Sequence, residues 1–276
     1  MDQGALGIWF ALAGLSVAFV VVDIRKVPAH PVIKWAFIIL TVFAGPLGAF
    51  FYVLGCREPL DGTHEAYVAA RWRQVLGSTM HCAAGDGVGI IAGAAMAARW
   101  QFSVGGDFVV EYLLGFGFGW AFFQAFAMRK MAGGSYVRSL QMTFLPEFLS
   151  MNVLMAGMQV AMRFLTPRVD GGADPARPGF WFVMSMALIV GFCLAYPVNW
   201  WLVTNGMKHG MITVRGWDDH PRARDHEAAA RDAHGEAGDA MHSAPSSPSA
   251  LAKAAMTALT LAVLAAGIVL SSRLGG

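Results

Sequence analysis

Charge is scarce in this sequence. Only 14% of its 276 residues are Asp, Glu, Lys or Arg, the formal net charge is +2, and 56% are apolar. So little charge excludes an ordinary soluble domain, and nucleic acid is not an expected partner. Cysteine is equally sparse: Cys56, Cys82 and Cys193 are an odd number at wide spacing, which excludes a disulfide framework. The first apolar run lacks a basic leader and a small-residue cleavage site and ends in "DIRK", so it reads as a retained anchor rather than a signal peptide. "GFGFGW" opens no strand-to-helix turn and is not a nucleotide loop. Asp86 has no mid-span aspartate to face it, since Asp23 and Asp107 lie at helix ends, and a membrane aspartyl protease is thereby excluded. An inverted repeat of the kind many transporters carry is also missing.

Long apolar runs are what the sequence does have. They lie at about 5–23, 35–55, 79–98, 108–128, 140–164, 180–204 and 251–271, and roughly 20 residues suffice to cross the hydrocarbon core. Each must be a helix, because lipid offers no partner to an open sheet edge. The expected fold is an all-α polytopic transmembrane bundle of about six core helices plus a C-terminal seventh. Residues 1–215 form the bundle and 251–276 an anchor helix. Between them, residues 216–250 are charged, Ala/Ser/Pro-rich and without apolar period, as a disordered linker would be. That linker carries His220, His226, His234 and His242, a compositional hint of metal collection. Residues 56–78 contain an amphipathic stretch, with Tyr67, Val68, Trp72, Val75 and Leu76 set against Arg71 and Arg73, that suits the membrane interface. Cys193, inside a span, reads as a small packing residue. With seven crossings, the Lys/Arg balance over all loops favours a cytoplasmic N-terminus but reverses once the long sixth loop is set aside.

The polar residues inside these runs are few and fall in register. The third helix opens with Met80, His81 and Cys82, on the same membrane face as His209 and Met211. Going inward at ~1.5 Å per residue, Asp86 on the third helix, Glu147 on the fifth and Asn199 on the sixth reach one depth. Carboxylates there are costly, at roughly 2.5–3.5 kcal/mol on insertion scales, and are functional by default. Below Glu147, Met151, Met155, Met158 and Met162 line one side of the fifth helix, with Asn152 to the side. Such a stripe is either packing or a row of exchangeable thioether ligands. Thioether, imidazole and thiol are the donors soft metals select. Pro146 would bend the helix beside Glu147. Gly85, Gly89 and Gly93, like Gly115 and Gly119, repeat every fourth residue as close-packing faces.

Three stretches, "HCAAGDGVGI" (81–90), "GGSYVRSLQMTFLPEFLSMNVLMAGM" (133–158) and "AYPVNWWLVTNGMKHGMITVR" (195–215), resemble a bacterial integral membrane family catalogued as domain of unknown function 4396. "WAFIILTVFAGPLGAFFYVLG" (35–55) resembles that family's second helix. The resemblance implies a multi-span bundle in the bacterial inner (cytoplasmic) membrane with a His-Cys-Gly-Asp start to the third helix. It brings no activity with it. From the residues, the first reading is a protein that binds or moves a soft or borderline cation, copper or another transition metal ion, captured by Met80, Cys82 and His209 and passed by Asp86 and Glu147 to the methionines. The alternatives are a proton-coupled transporter protonated at Asp86 and Glu147, haem ligation by His81 and His209, and a scaffold subunit without substrate. The expected partners are the lipid bilayer and a metal ion or small cation, with a homo-oligomer or membrane complex compatible with the small-residue faces.

Overall fold

A computed structural model of the protein describes residues 3–60, 62–100, 102–129, 132–210 and 248–274. Met211, His220, His226, His234, His242 and most of the linker lie outside the described residues. Within them the chain runs through α1 (Gln3–Asp23), α2 (Pro31–Ala44), α3 (Pro46–Gly55), α4 (His64–Val68) and α5 (Arg71–Trp100). It continues as α6 (Val104–Gly117), which passes through a π-helical segment (Phe118–Gln124) into α7 (Ala125–Met128), then α8 (Tyr136–Leu165), α9 (Pro178–Thr204) and α10 (Ala250–Leu274). Six units are long and apolar enough to cross a membrane: α1, α5, the α6–α7 unit, α8, α9 and α10. The all-α polytopic bundle expected from the apolar runs is what the chain forms.

The second apolar run, 35–55, makes no crossing. It is two short helices broken at Gly45–Pro46. Gly45 sits at φ 54°, a left-handed angle that glycine adopts freely, and Pro46 starts the next helix where its missing N–H costs nothing. The chain then folds back on itself. A Cβ on Gly48 would lie 2.5 Å from the Thr41 Cα, and Phe37 and Tyr52 meet ring to ring at 5.7 Å. The hairpin tip rests against Trp9 and Ala13 in the middle of α1. Its two ends return to one level, where the Tyr52 hydroxyl and Arg57 both donate to Asp23 at the end of α1, each at 2.8 Å. α5 therefore starts on the face where α1 ends. It also starts earlier than its apolar run suggests, since Trp72 to Leu76, expected at the interface, already belong to α5. Val75 and Leu76 are buried, Leu76 against Gly55 of the hairpin.

α5 and α8 form the buried centre, with α6, α9 and the hairpin around them. Glycine sets the spacing of α5 and α6: a Cβ on Gly89 would run into the Leu114 carbonyl, and one on Gly93 would lie 2.8 Å from the Glu111 Cα. α10 lies along α8, where a Cβ on Gly267 would be 2.9 Å from the Ala156 Cα, and the Asn152 amide donates to the Thr260 hydroxyl at 3.3 Å. α1 and α10 turn most of their apolar side chains outward, as lipid-facing helices do. Cys193 is also exposed on the outer surface, not packed as its apolar setting suggests.

The hairpin changes the charge balance between the faces. Among the described residues Arg25, Lys26, Lys34, Arg57, Arg71, Arg73, Arg129, Arg138, Lys208 and Lys253 lie towards the face where α5 begins. The opposite face has Arg99, Arg163, Arg168, Arg177 and Arg273. The positive-inside rule then directs the α5-start face to the cytoplasm. With Cys56 and Cys193 changed to serine, Lys26→Cys and Leu60→Cys should react with an impermeant maleimide only from the cytoplasmic side, and Ala173→Cys only from the other. Labelling of Lys26→Cys and Leu60→Cys from opposite sides would mean that 35–55 crosses after all.

Candidate functional site

Four elements converge on one buried carboxylate. α5 presents Cys82 and Asp86, one turn apart and so on the same side of the helix. α8 presents Glu147, the π segment presents Gly119 and Gln124, and α9 with the turn after it presents Asn199 and Lys208. All of these side chains are buried, Asp86, Glu147 and Asn199 completely.

Glu147 uses its two oxygens differently. Oε2 receives every donor: the Lys208 ammonium at 3.1 Å, the Gln124 amide at 2.9 Å and the Cys82 thiol at 3.4 Å. Gln124 also donates to the Cys82 Sγ at 3.1 Å, and Lys208 to the Asn199 Oδ1 at 3.0 Å. Asn199 in turn donates to the Ser150 hydroxyl at 3.0 Å. Oε1 meets no N–H or O–H donor among the described residues, and neither does either oxygen of Asp86. What these atoms have is each other: the two carboxyl groups stand within hydrogen-bonding reach. Gly119 makes the space, since a Cβ there would collide with the Asp86 Oδ1 and lie 3.1 Å from the Glu147 Oε1.

Local sequence explains how the two donors least visible beforehand arrive. Gln124 follows Gly119 by five residues. On an α-helix, at roughly 100° per residue, the two would diverge by about 140°, whereas residues five apart in a π-turn are bonded neighbours. The π segment thus turns both onto the cluster. Lys208 lies beyond the last apolar residue of α9. Gly206, at φ 65°, reverses the chain there, with the Met207 N–H bonded to the Leu202 carbonyl at 2.9 Å and the Gly206 N–H to that of Val203 at 3.2 Å. This is a Schellman turn. It sends Lys208 back into the bundle to close on Glu147. The Asn205–Gly206 pair was the available signal for it, while Gln124 had none in an α-helical reading.

Of the residues singled out from sequence, Cys82, Asp86, Glu147 and Asn199 come together. His81 does not join them: adjacent residues on a helix diverge, and its ring lies 5.5 Å from that of Phe123. It lines a cavity of about 20 Å³, room for one water, together with Ser78, Gln124, Met128 and His209. The cavity lies beside Gln124 at the face where α5 begins, and the His81 Nε2 has no hydrogen-bond partner among the described residues. Met80, Met151, Met155 and Met158 are fully buried in the main apolar cluster with Leu188 and Ala187, and Met162 nearly so. Asn152 stands apart, accepting from the Tyr112 hydroxyl at 2.6 Å. Among the described residues no three His, Cys, Asp or Glu side chains gather as a metal-ligand group.

Breaking a buried ion pair by removing one partner costs about 3–5 kcal/mol. Lys208→Met should lose about that much stability at neutral pH in detergent unfolding experiments. The loss should shrink as the pH falls and the stranded carboxylate protonates. The double variant Lys208→Met/Glu147→Gln should regain most of it at every pH.

The family described as Domain of unknown function (DUF4396) matches residues 71–208. The match opens with α5 and closes on Lys208, so every member of the cluster lies inside it, while α1, the α2–α3 hairpin and α10 lie outside. Neither a curated protein nor a solved structure gave a match. The chain belongs to the DUF4396 family, and the segment that matches it contains the buried Glu147–Lys208 site.

Proposed function

We propose that the protein is a proton-coupled membrane transporter, working in a bacterial inner membrane, in which Asp86 and Glu147 hold and release the coupling proton. The observation that carries this reading is the imbalance of the cluster. Two carboxyl groups face each other across Gly119, and one lysine answers them. Were both ionised, the site would keep a net negative charge in a medium that tolerates none. One proton shared between the Glu147 Oε1 and Asp86 restores neutrality and supplies the hydrogen bond those atoms otherwise lack. Its loss leaves an unpaired charge that must be met by water, a second cation or movement of Lys208. A site of this kind couples protonation to helix position. In this reading the proton enters from the α5-start face by way of the His81–His209 cavity, which Gln124 also lines.

The second reading, a soft cation such as copper(I), draws on the Cys82 thiol beside Glu147. It requires that cation to displace the Lys208 ammonium, which already occupies the carboxylate. It also gives Met151, Met155 and Met158 a ligand role in addition to their packing.

A pH jump on proteoliposomes adsorbed to a solid-supported membrane separates the two. The wild type should give a transient charge displacement that falls at least about tenfold in Asp86→Asn and in Glu147→Gln, as expected when the ionisable group is removed from the membrane's field. Equal transients in wild type and both variants would overturn the proton reading. Stoichiometric copper(I) in the purified protein, lost in Cys82→Ser, would replace it with the metal reading.

A further inference from the structure

A second acidic side chain lies in the membrane on the far side of the cluster. Glu111 on α6 is only 5% exposed, and the Gln159 amide on α8 donates to its Oε2 at 2.5 Å. α5 approaches α6 closely here, since a Cβ on Gly93 would lie 2.8 Å from the Glu111 Cα. The charged groups acting on Glu111 are Asp107, one turn earlier in α6, and Arg163, one turn beyond Gln159 on α8. Both lie towards the face opposite the His81–His209 cavity.

Between the two acidic sites stands a polar step. The Tyr112 hydroxyl, on the residue next to Glu111, donates to Asn152, and Tyr112 is close enough to feel the charge of Asp86. Along α8, Glu147, Asn152, Gln159 and Arg163 follow at intervals of five, seven and four residues. At ~1.5 Å per residue they cover about 24 Å of the roughly 30 Å core. The bundle thus carries polar groups through nearly its whole thickness, with Glu147 on one side of α8 and Asn152, Gln159 and Arg163 together on the other.

We propose that Glu111 is the second proton station of the path. The proton leaves the Asp86–Glu147 pair, passes the Tyr112–Asn152 step and arrives on the Glu111 carboxylate. It departs past Asp107 and Arg163 to the opposite face, while the Asp86–Glu147 pair takes up a new proton from the α5-start side. This inference rests on the proton reading of the Asp86–Glu147 pair. It adds where the proton goes after leaving that pair: onto Glu111 and out at the opposite face.

Glu111→Gln keeps a hydrogen-bonding side chain opposite Gln159 but cannot carry a proton; Glu111→Leu can do neither. In the pH-jump experiment both variants should displace about half the wild-type charge, since the proton then crosses only the first part of the membrane's field. Only Glu111→Leu should melt at lower temperature. The exchange variant Glu111→Gln/Gln159→Glu, which returns a carboxyl group to the same place, should recover displaced charge. Infrared titration should lose one protonated-carboxyl band in Glu111→Gln and keep the band that Asp86→Asn removes. A Glu111→Gln transient and infrared titration equal to wild type, with a defect only in Glu111→Leu, would reduce Glu111 to an interhelical clamp and leave the Asp86–Glu147 reading standing. Transients indifferent to Asp86→Asn as well would remove both.

Discussion

The ion pair between Lys208 and Glu147, 3.1 Å long and closed off from solvent, sets the terms for the rest of the bundle. An ammonium and a carboxylate in an apolar interior gain little net stability over a well-packed apolar pair, and they hold only if their remaining hydrogen-bonding capacity is met. Gln124, Cys82 and Asn199 meet it. Cys82 and Asn199 come from regular helix, but two of the groups are delivered by a departure from it: Gln124 by a π segment, and Lys208 itself by a Schellman turn that folds the end of α9 inward. The cost of an unpaired charge in this place explains why such irregular backbone persists in a protein otherwise made of regular apolar helices.

Close helix packing makes that geometry reachable. Helices in lipid gain no hydrophobic drive from meeting each other, so contact depends on backbones approaching closely enough for dispersion and hydrogen bonds to count. Gly89 and Gly93 of α5 press directly on the α6 backbone, and Gly85 lies against Gly119 and Phe123. At Gly119 the same smallness leaves the space in which Asp86 and Glu147 face each other. The glycine rows are therefore packing devices along most of their length and part of the acidic site at one position. The methionines of α8 have the complementary role, filling the centre with flexible volume that suits irregular gaps.

Much of the site was legible because depth in a membrane is arithmetic. Once the spans are placed, a fixed rise per residue puts Asp86, Glu147 and Asn199 on one level; in the structure Lys208 joins Glu147 to Asn199, and Asp86 faces Glu147. Gln124 was not legible, because a 3.6-residue period assigns it to the wrong side of its helix. Lys208 is not legible either, since apolar runs mark where a helix stops and not where the chain goes next. Glu111 lies in a run whose apolar character marks a span and does not single the residue out. The hairpin was misread for a related reason: its 21 residues are apolar enough to cross, and hydropathy does not register direction. Gly45–Pro46, a turn signal in the middle of that run, was the clue.

The sequence by itself determined the class of solvent, the helical character of every element and the depth of the polar residues, because those follow from composition and a constant rise. Tertiary structure alone decided which polar atoms are partners, and that the second apolar run returns to its own face. Partnership depends on the rotation of each helix and on backbone breaks of one or two residues. Those are settled when helices pack against one another and a buried charge finds its counter-ion, at positions far apart in the chain.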